Sequence, residues 1–314
     1  MRAVALLLAG LLAASCKRAP PRPFPAELPP FTPGSQFIAA GDLQRTPFFE
    51  RRESNDAERV RLVQAIAAAR PSFVAFTGDL VDEGSSASDW SDFDRLTAPI
   101  RDAGIPAIVA IGNHEYERSR EGEQHVLARF PAMKGRHHDV VDRGPLRLVL
   151  LDSNDLVLSK EEWAEQRRWY DETLARLDAD GAVRGVMVLL HHEPFTNSTM
   201  TADEGQVQRD FLPGFLAAKK TLAMLSGHVH SYERFTRQGK TFVVSGGGGG
   251  PRITLAVGSA RRHPDDLFDG PPVRDFHFIV YTIGDGSVEA EVRSLPKGGT
   301  AFSTMDRFSL PYPR

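Results

Sequence analysis

Six short apolar runs in this chain close on polar clusters: FIAAGD (37–42), FVAFTGD (73–79), AIVAIGNHE (107–115), LRLVLLDSND (146–155), VMVLLHHEP (186–194) and LAMLSGHVH (222–230). Five of these endings carry side chains with lone pairs to give: Asp42, Asp79, Asn113 with His114, His191 with His192, and His228 with His230. Each alone has an ordinary explanation, since Gly-Asp after a strand is commonly a turn and an isolated histidine commonly sits on a surface. Five such endings in one chain, mixing carboxylate, amide and imidazole, point to one convergent site. That mixture suits borderline-hard ions such as Mn, Fe or Zn rather than thiolate-loving ones. A carboxylate shared between two ions would hold them ~3.5–4 Å apart, the spacing of two-metal hydrolytic sites.

For the endings to converge, the runs must be strands of one layered body. Their hydrophobicity is continuous rather than alternating, as in strands covered on both faces. Helical patterns lie between several of them. SNDAERVRLVQAIAAAR places apolar residues at Val60, Val63 and Ala67 and stops at Pro71. SKEEWAEQRRWYDETLARLDADG opens with Ser159 and has Glu162 three residues later, a capping-box pattern, and closes at Gly181. After His230 the pattern changes to two antiparallel hairpins, with turns near Gln238-Gly239 and Asp285-Gly286. An α/β layered fold follows, either a mixed sheet or a two-sheet sandwich with helices outside. No internal repeat or second shift in composition occurs, so residues 36–314 read as a single domain.

The amino-terminal end reads differently. MRAVALLLAGLLAASC has one Arg, an apolar run too short to span a bilayer, and small residues before Cys16, the layout of a secretory signal over 1–15. LAASC resembles a bacterial lipobox, which implies lipidation of Cys16; an ordinary cleaved signal is the alternative. Residues 16–35 then read as lipidated Cys and Pro-rich tether, with seven prolines between Ala19 and Pro33. The expected location is outside the cytoplasm, anchored to a membrane by the lipid and facing the periplasm or cell exterior, or soluble there. Cys16 is the only cysteine, so no internal disulfide can form. A formal charge of -3 gives no electrostatic case for nucleic acid, and nothing suggests a protein partner.

In order along the chain, GDLQ, TGD, IGNHE, HHEP and GHVH resemble the signature of the calcineurin-like metallophosphoesterases. HEPFTNS and GHVHSYERF are similar, more narrowly, to the purple acid phosphatase branch. The resemblance implies a four-layer α/β/β/α sandwich with mixed central sheets and a metal site at the carboxyl ends of strands. It implies two metal ions, Fe, Mn or Zn. Asp42 and His230 would hold the first, Asn113, His192 and His228 the second, and Asp79 would bridge. His192 is preferred to His191 because it stands two residues before Pro194, as the family's ligand does; His191 is left a structural or phosphate-side place. His114 would sit near the phosphate, stabilising charge or protonating the leaving oxygen. The implied activity is hydrolysis of phosphate mono- or diesters by a metal-held hydroxide. The rival, a metal-stabilised binding protein of the same fold without turnover, has no need of His114.

Two positions depart from the branch. Asp82 stands where purple acid phosphatases carry the Tyr of GDxxY, and Gln44 stands where many family members carry His. Asp82 reads as a solvated turn carboxylate. Gln44 either ligates the first ion weakly or orients water. SGGGGG (245–250) lacks the Lys of a nucleotide loop and reads as a strand end brought close to the metal loops. His137 and His138 read as surface strand, while His125, His263 and His277 have no supporting context. Glu233 and Arg234 are expected to pair or to brace the GHVH loop, and Tyr232 to pack.

Overall fold

A computed structural model describes residues 21–46, 54–117 and 119–313; Cys16 and the signal lie outside them. The strands are β1 (Gln36–Ala40), β2 (Phe73–Phe76), β3 (Ala107–Val109), β4 (Asp139–Arg143), β5 (Leu146–Leu150) and β6 (Gly185–Leu189). They continue as β7 (Thr221–Ser226), β8 (Tyr232–Arg237), β9 (Lys240–Ser245), β10 (Phe276–Ile283), β11 (Ser287–Leu295) and β12 (Ser303–Pro311). The helices are α1 (Asp56–Ala69), α2 (Ala87–Leu96), α3 (Ala98–Asp102), α4 (Asn113–Tyr116), α5 (Glu121–Arg129), α6 (Lys160–Ala179), α7 (Gly205–Asp210) and α8 (Leu212–Ala217).

Two six-stranded mixed sheets form, in the orders β12-β11-β10-β1-β2-β3 and β4-β5-β6-β7-β9-β8. The strand period of two explains how they stack. Leu146, Leu148 and Leu150 of β5, with Met187 and Leu189 of β6, join the core shared with the first sheet. The alternate residues Val149, Val186, Val188 and Leu190 pack instead with Tyr170, Leu174 and Leu177 of α6. Leu62, Val63 and Ile66 of α1 and Trp90 and Phe93 of α2 close the first sheet's side. The result is the expected four-layer arrangement, helices outside two mixed sheets.

Local signals act as the sequence predicts. Ser159 Oγ accepts the Glu162 N–H at 3.2 Å and Glu162 Oε2 accepts the Ser159 N–H at 2.8 Å, completing the capping box of α6. The β8–β9 hairpin turns at Gln238 and Gly239, both left-handed (φ 49° and 74°), as a two-residue loop matching strand twist requires. The β10–β11 hairpin also forms.

The Pro-rich stretch is not free tether along its whole length. Phe24 is 2% exposed and packs among Phe76, Phe93 and Phe130, with ring centroids 5.0–6.4 Å away. Its N–H donates to the Arg129 carbonyl at 2.9 Å, and Arg143 donates to the Pro29 carbonyl at 2.9 Å. Burying one Phe side chain stabilises by about 1.5–3 kcal/mol, and together with these hydrogen bonds it ties the stretch to the body at Phe24 and Pro29.

Candidate metal centre

β1, β2 and β3 run parallel, with Ala40 beside Phe76 and Phe76 beside Val109. Asp42, Asp79 and Asn113 therefore leave the same edge of the first sheet. β6 and β7 are also parallel, Leu189 beside Leu225, and release His191, His228 and His230 from the second. Asp42 (φ 60°), Asp79 (φ 51°) and His228 (φ 65°) adopt left-handed backbone, a conformation that costs a non-glycine residue of order 1–3 kcal/mol and clusters at functional sites. Small residues let these turns close on one another. A Cβ on Gly112 would fall 2.2 Å from Asp79 Oδ1, and one on Gly246 would fall 2.8 Å from Asp42 Oδ2.

One group of donors meets around His191. Its Nε2 lies 3.2 Å from Asp79 Oδ2, 3.1 Å from Asn113 Oδ1 and 3.3 Å from His228 Nδ1, which is itself 3.1 Å from Asn113 Oδ1. His191 Nδ1 lies 2.6 Å from the Thr77 carbonyl. Only an Nδ1–H can donate there, so the neutral ring turns its Nε2 lone pair into the cluster. Burial alone would lower the His191 pKa; Asp79 and Asp42 push it up to about 10 instead. Asp79 is moved well below the usual carboxylate range, its burial outweighed by the His191 and His114 rings. These shifts mark a place that favours positive charge, which a metal ion would supply in place of the proton.

A second group meets around Asp42. Asp42 Oδ1 is 3.5 Å from His230 Nε2. The buried Asp42 Oδ2 finds no hydrogen-bond donor among the described residues. His230 Nδ1–H donates to the Pro251 carbonyl at 2.7 Å, leaving its Nε2 lone pair inward. The Gln44 amide nitrogen meets the carbonyls of Asp79 (2.9 Å) and Asp42 (3.2 Å), so its oxygen faces His230 Nε2 at 3.1 Å. Two lone-pair atoms facing one another beside an unpartnered buried carboxylate oxygen fit a cation. Carboxylate oxygens of Asp42 and Asp79 and a ring nitrogen of His191 all lie within 4.8 Å of one another, so the two groups adjoin.

The structure places His191, rather than His192, beside Asp79 and Asn113. β6 alternates, with Leu189 facing the inter-sheet core and Leu190 facing α6, so the next inward residue is His191. His192 Nδ1 lies instead 2.9 Å from Ser153 Oγ, although a ring nitrogen of His192 is within 4.8 Å of those of His191 and His228. Burial, then the His191 ring, pushes the His192 pKa down to about 3. His114 donates its N–H to Asp79 Oδ1 at 3.0 Å and its Nδ1 lies 2.6 Å from the Asp82 carbonyl. Its Nε2 is 3.9 Å from Asp79 Oδ2 and the ring is partly exposed.

Glu115 was not expected to matter, yet it is fully buried. Its Oε2 accepts the N–H groups of Asp79 (2.9 Å) and Gly112 (2.8 Å), and its Oε1 that of Leu80 (2.7 Å). The readable signal is a Glu three residues after the Gly112 cap. Ser153 is the second such residue, accepting the N–H groups of His191 (3.2 Å) and His192 (3.0 Å).

The glycine run approaches the metal loops as expected: Gly248 and Gly250 donate N–H to the carbonyls of Gly41 (2.9 Å) and Asp42 (2.8 Å). Glu233 and Arg234 do not pair with each other. Glu233 accepts from Thr196 Oγ1 (2.6 Å) and the Asn197 N–H (2.7 Å), bracing the segment after His192, and Arg234 pairs with Asp306 at 2.8 Å. Tyr232 packs, its hydroxyl donating to Asp306. His137 is no bare surface residue but lies 2.9 Å from Glu123.

The sequence profile described as Calcineurin-like phosphoesterase matches residues 35–232. Purple acid phosphatase 22 of Arabidopsis thaliana is 25% identical over 277 residues, 85% of this chain and 60% of that protein; the chain thus spans little more than half of its relative's length. Among solved structures, the purple acid phosphatase PPD1 of yellow lupin superposes with a TM-score of 0.65 at 20% identity, covering 90% of this chain and 55% of that one. A dimetal phosphatase from Danio rerio gives 0.63 at 15% identity, covering 90% and 100%. With the profile match spanning every strand ending that builds the centre, this chain belongs to the calcineurin-like phosphoesterase family.

Proposed function

We propose that this protein hydrolyses phosphate mono- or diesters with two metal ions. Asp42, His230 and the Gln44 oxygen would hold one, Asn113, His191 and His228 the other, with Asp79 shared. The observation that carries this is the grouping of Asp79 with both His191 and Asp42, ligand atoms within 4.8 Å of one another and both carboxylates buried. Ions held there would supply Lewis-acid charge to phosphoryl oxygens and lower the pKa of a water. The chain supplies the rest. Carbonyls of Thr77 and Pro251 fix the ligating tautomers of His191 and His230. The Asp82 carbonyl takes His114 Nδ1–H, which turns Nε2 toward the centre, where a protonated ring can serve the leaving oxygen. Resemblance in name to purple acid phosphatases supports phosphate esters as the substrate class, and Asp82 in place of Tyr argues for Mn, Zn or ferrous iron over a purple ferric site.

The test is turnover of aryl phosphate mono- and diesters by metal-stripped protein, with Mn, Zn, Fe and Mg restored separately. No turnover with any of them, in protein that binds two ions, would leave the non-catalytic binding protein as the reading. Asp79→Asn should remove most activity and lower occupancy at both positions. Export with a lipid on Cys16 belongs to the same proposal and rests on residues 1–16. A Cys16→Ala variant that stays membrane-associated would oppose the anchor.

A further inference from the structure

Asn55 gives up the role its position offers. It stands at the N-cap of α1, where an Asn side-chain oxygen ordinarily accepts an N–H of the first helical turn, yet its side chain makes no such bond. The residue is 1% exposed. Its Nδ2 donates instead to the carbonyls of Gly249 (3.1 Å) and Gly250 (3.0 Å), 194 and 195 residues further along the chain. Its Oδ1 accepts Lys297 Nζ at 2.9 Å. Two carbonyls on one side and an ammonium on the other fix which way the amide faces.

The two glycines lead straight to the candidate metal centre. The Gly250 N–H donates to the Asp42 carbonyl at 2.8 Å. Gly250 lies so close to His230 that an added Cβ would fall 2.6 Å from its Cε1, and the carbonyl of the next residue, Pro251, is 2.7 Å from His230 Nδ1. Arg59, one turn into α1, grips the other side: its Nε donates to the Leu43 carbonyl at 2.7 Å, next to Asp42. A Cβ on Gly249 would fall 2.0 Å from Arg59 Cγ. Behind Asn55, Lys297 also donates to Glu58 at 3.3 Å and to the Ser54 carbonyl, and Glu58 accepts the Gly298 N–H at 2.8 Å. The loop between β11 and β12 thus backs the amide that holds the glycine corner.

We propose that Asn55 is a positioning residue for one ion of the pair. Its amide holds the Gly249–Gly250 corner that sets Asp42 against His230, so it governs the affinity of that position and leaves the one built from Asn113, His191 and His228 alone. This rests on the two-ion reading above. Residues that orient ligands from behind are worth about 10–100-fold in metal affinity.

Asn55→Asp separates this role from a structural one. Asp is as good an N-cap as Asn and keeps an oxygen for Lys297, but it sets an oxygen against the two glycine carbonyls. Calorimetric titration of the metal-stripped full chain with Mn or Zn should show one binding step weakened about 10–100-fold in this variant and the other unchanged. Adding it to His228→Ala, whose remaining ion sits by Asp42, should weaken that ion; adding it to His230→Ala, whose remaining ion sits by His191, should not. In metal-free protein the Gly250 N–H should exchange faster with solvent than in the wild type. Lys297→Met, at a side chain 35% exposed, removes only the backing of the amide and should weaken the same step by less, which keeps the test open if Asn55→Asp does not fold. Unchanged constants, equal weakening of both steps, or an effect that persists in His230→Ala overturns the proposal. A wild type that binds a single ion would sink the two-ion reading and leave Asn55 to be judged on Gly250 exchange, where unchanged protection overturns the clamp.

Discussion

Asp42 Oδ1 accepts the backbone N–H of His228 at 2.9 Å, a hydrogen bond between residues 186 apart that joins the first sheet to the second. The same carboxylate has its other oxygen buried without a donor among the described residues, and burial raises its pKa well above the usual range. One side chain thus has a structural half and a metal-seeking half, and they can be separated.

Asp42→Asn keeps an oxygen for the His228 N–H and removes the buried charge. Metal-free Asp42→Asn should therefore melt at or above the wild type, while losing most of the rise in Tm that added Mn or Zn gives the wild type. That rise should correspond to about 2.7 kcal/mol of added stability at a hundredfold excess of metal over Kd. Asp42→Ala should be destabilised even without metal, by about 1–3 kcal/mol for the unmet N–H. An Asn variant with an undiminished metal response would contradict the assignment.

Glu115 ties three amides of two ligand loops. Glu115→Ala should lower stability in urea by at least about 3 kcal/mol, at about 1–3 kcal/mol for each buried N–H left unmet, and should release metal. Glu115→Gln should fall between, because an amide can serve the Asp79 and Gly112 N–H groups but not Leu80. Equal losses in both variants would show that charge, not hydrogen-bond capacity, is what the loops require.

Gly112→Ala places a methyl 2.2 Å from Asp79 Oδ1 and 2.5 Å from its backbone nitrogen. Overpacking of this kind costs about 1–3 kcal/mol, and the displaced group is the shared carboxylate. The variant should fold, by circular dichroism, yet bind fewer than two ions. Gly181→Ala, with nothing within 4 Å of its new Cβ, is the control and should leave metal content unchanged.

His137 makes the fold pH-sensitive away from the candidate metal centre. Asp152, 3.5 Å away, and Glu123, at 2.9 Å, raise its pKa. A raised histidine pKa contributes stability fully below the unfolded value of about 6.5 and loses it as pH climbs through the folded value. His137→Gln should thus lower Tm more at pH 5.5 than at pH 9. Thermal melts at the two pH values decide it, and a larger loss at pH 9 would reverse the sign.

Much of this was legible before the fold was seen. Continuous apolar runs marked β1, β2, β3, β6 and β7, and their endings named Asp42, Asp79, Asn113, His228 and His230. Distance to Pro194 favours His192, whereas the alternation of Met187 and Leu189 along β6 turns His191 toward Asp79 and Asn113. Glu115 and Ser153 were passed over because hydrogen bonds to backbone amides leave no spacing signature in a sequence. Phe24 was hidden by the prolines around it: composition describes a spacer, while one aromatic side chain decides whether it is bound.

The left-handed backbone at Asp42, Asp79 and His228 has an evolutionary reading. Glycine would relieve each turn, and glycine is also a residue with no atom to offer a cation. Chain comfort and donor chemistry therefore select against one another at these three positions. A descendant with no cation to hold would be free to drift toward Gly or Asn there, so these codons are where loss of a metal centre would first be written.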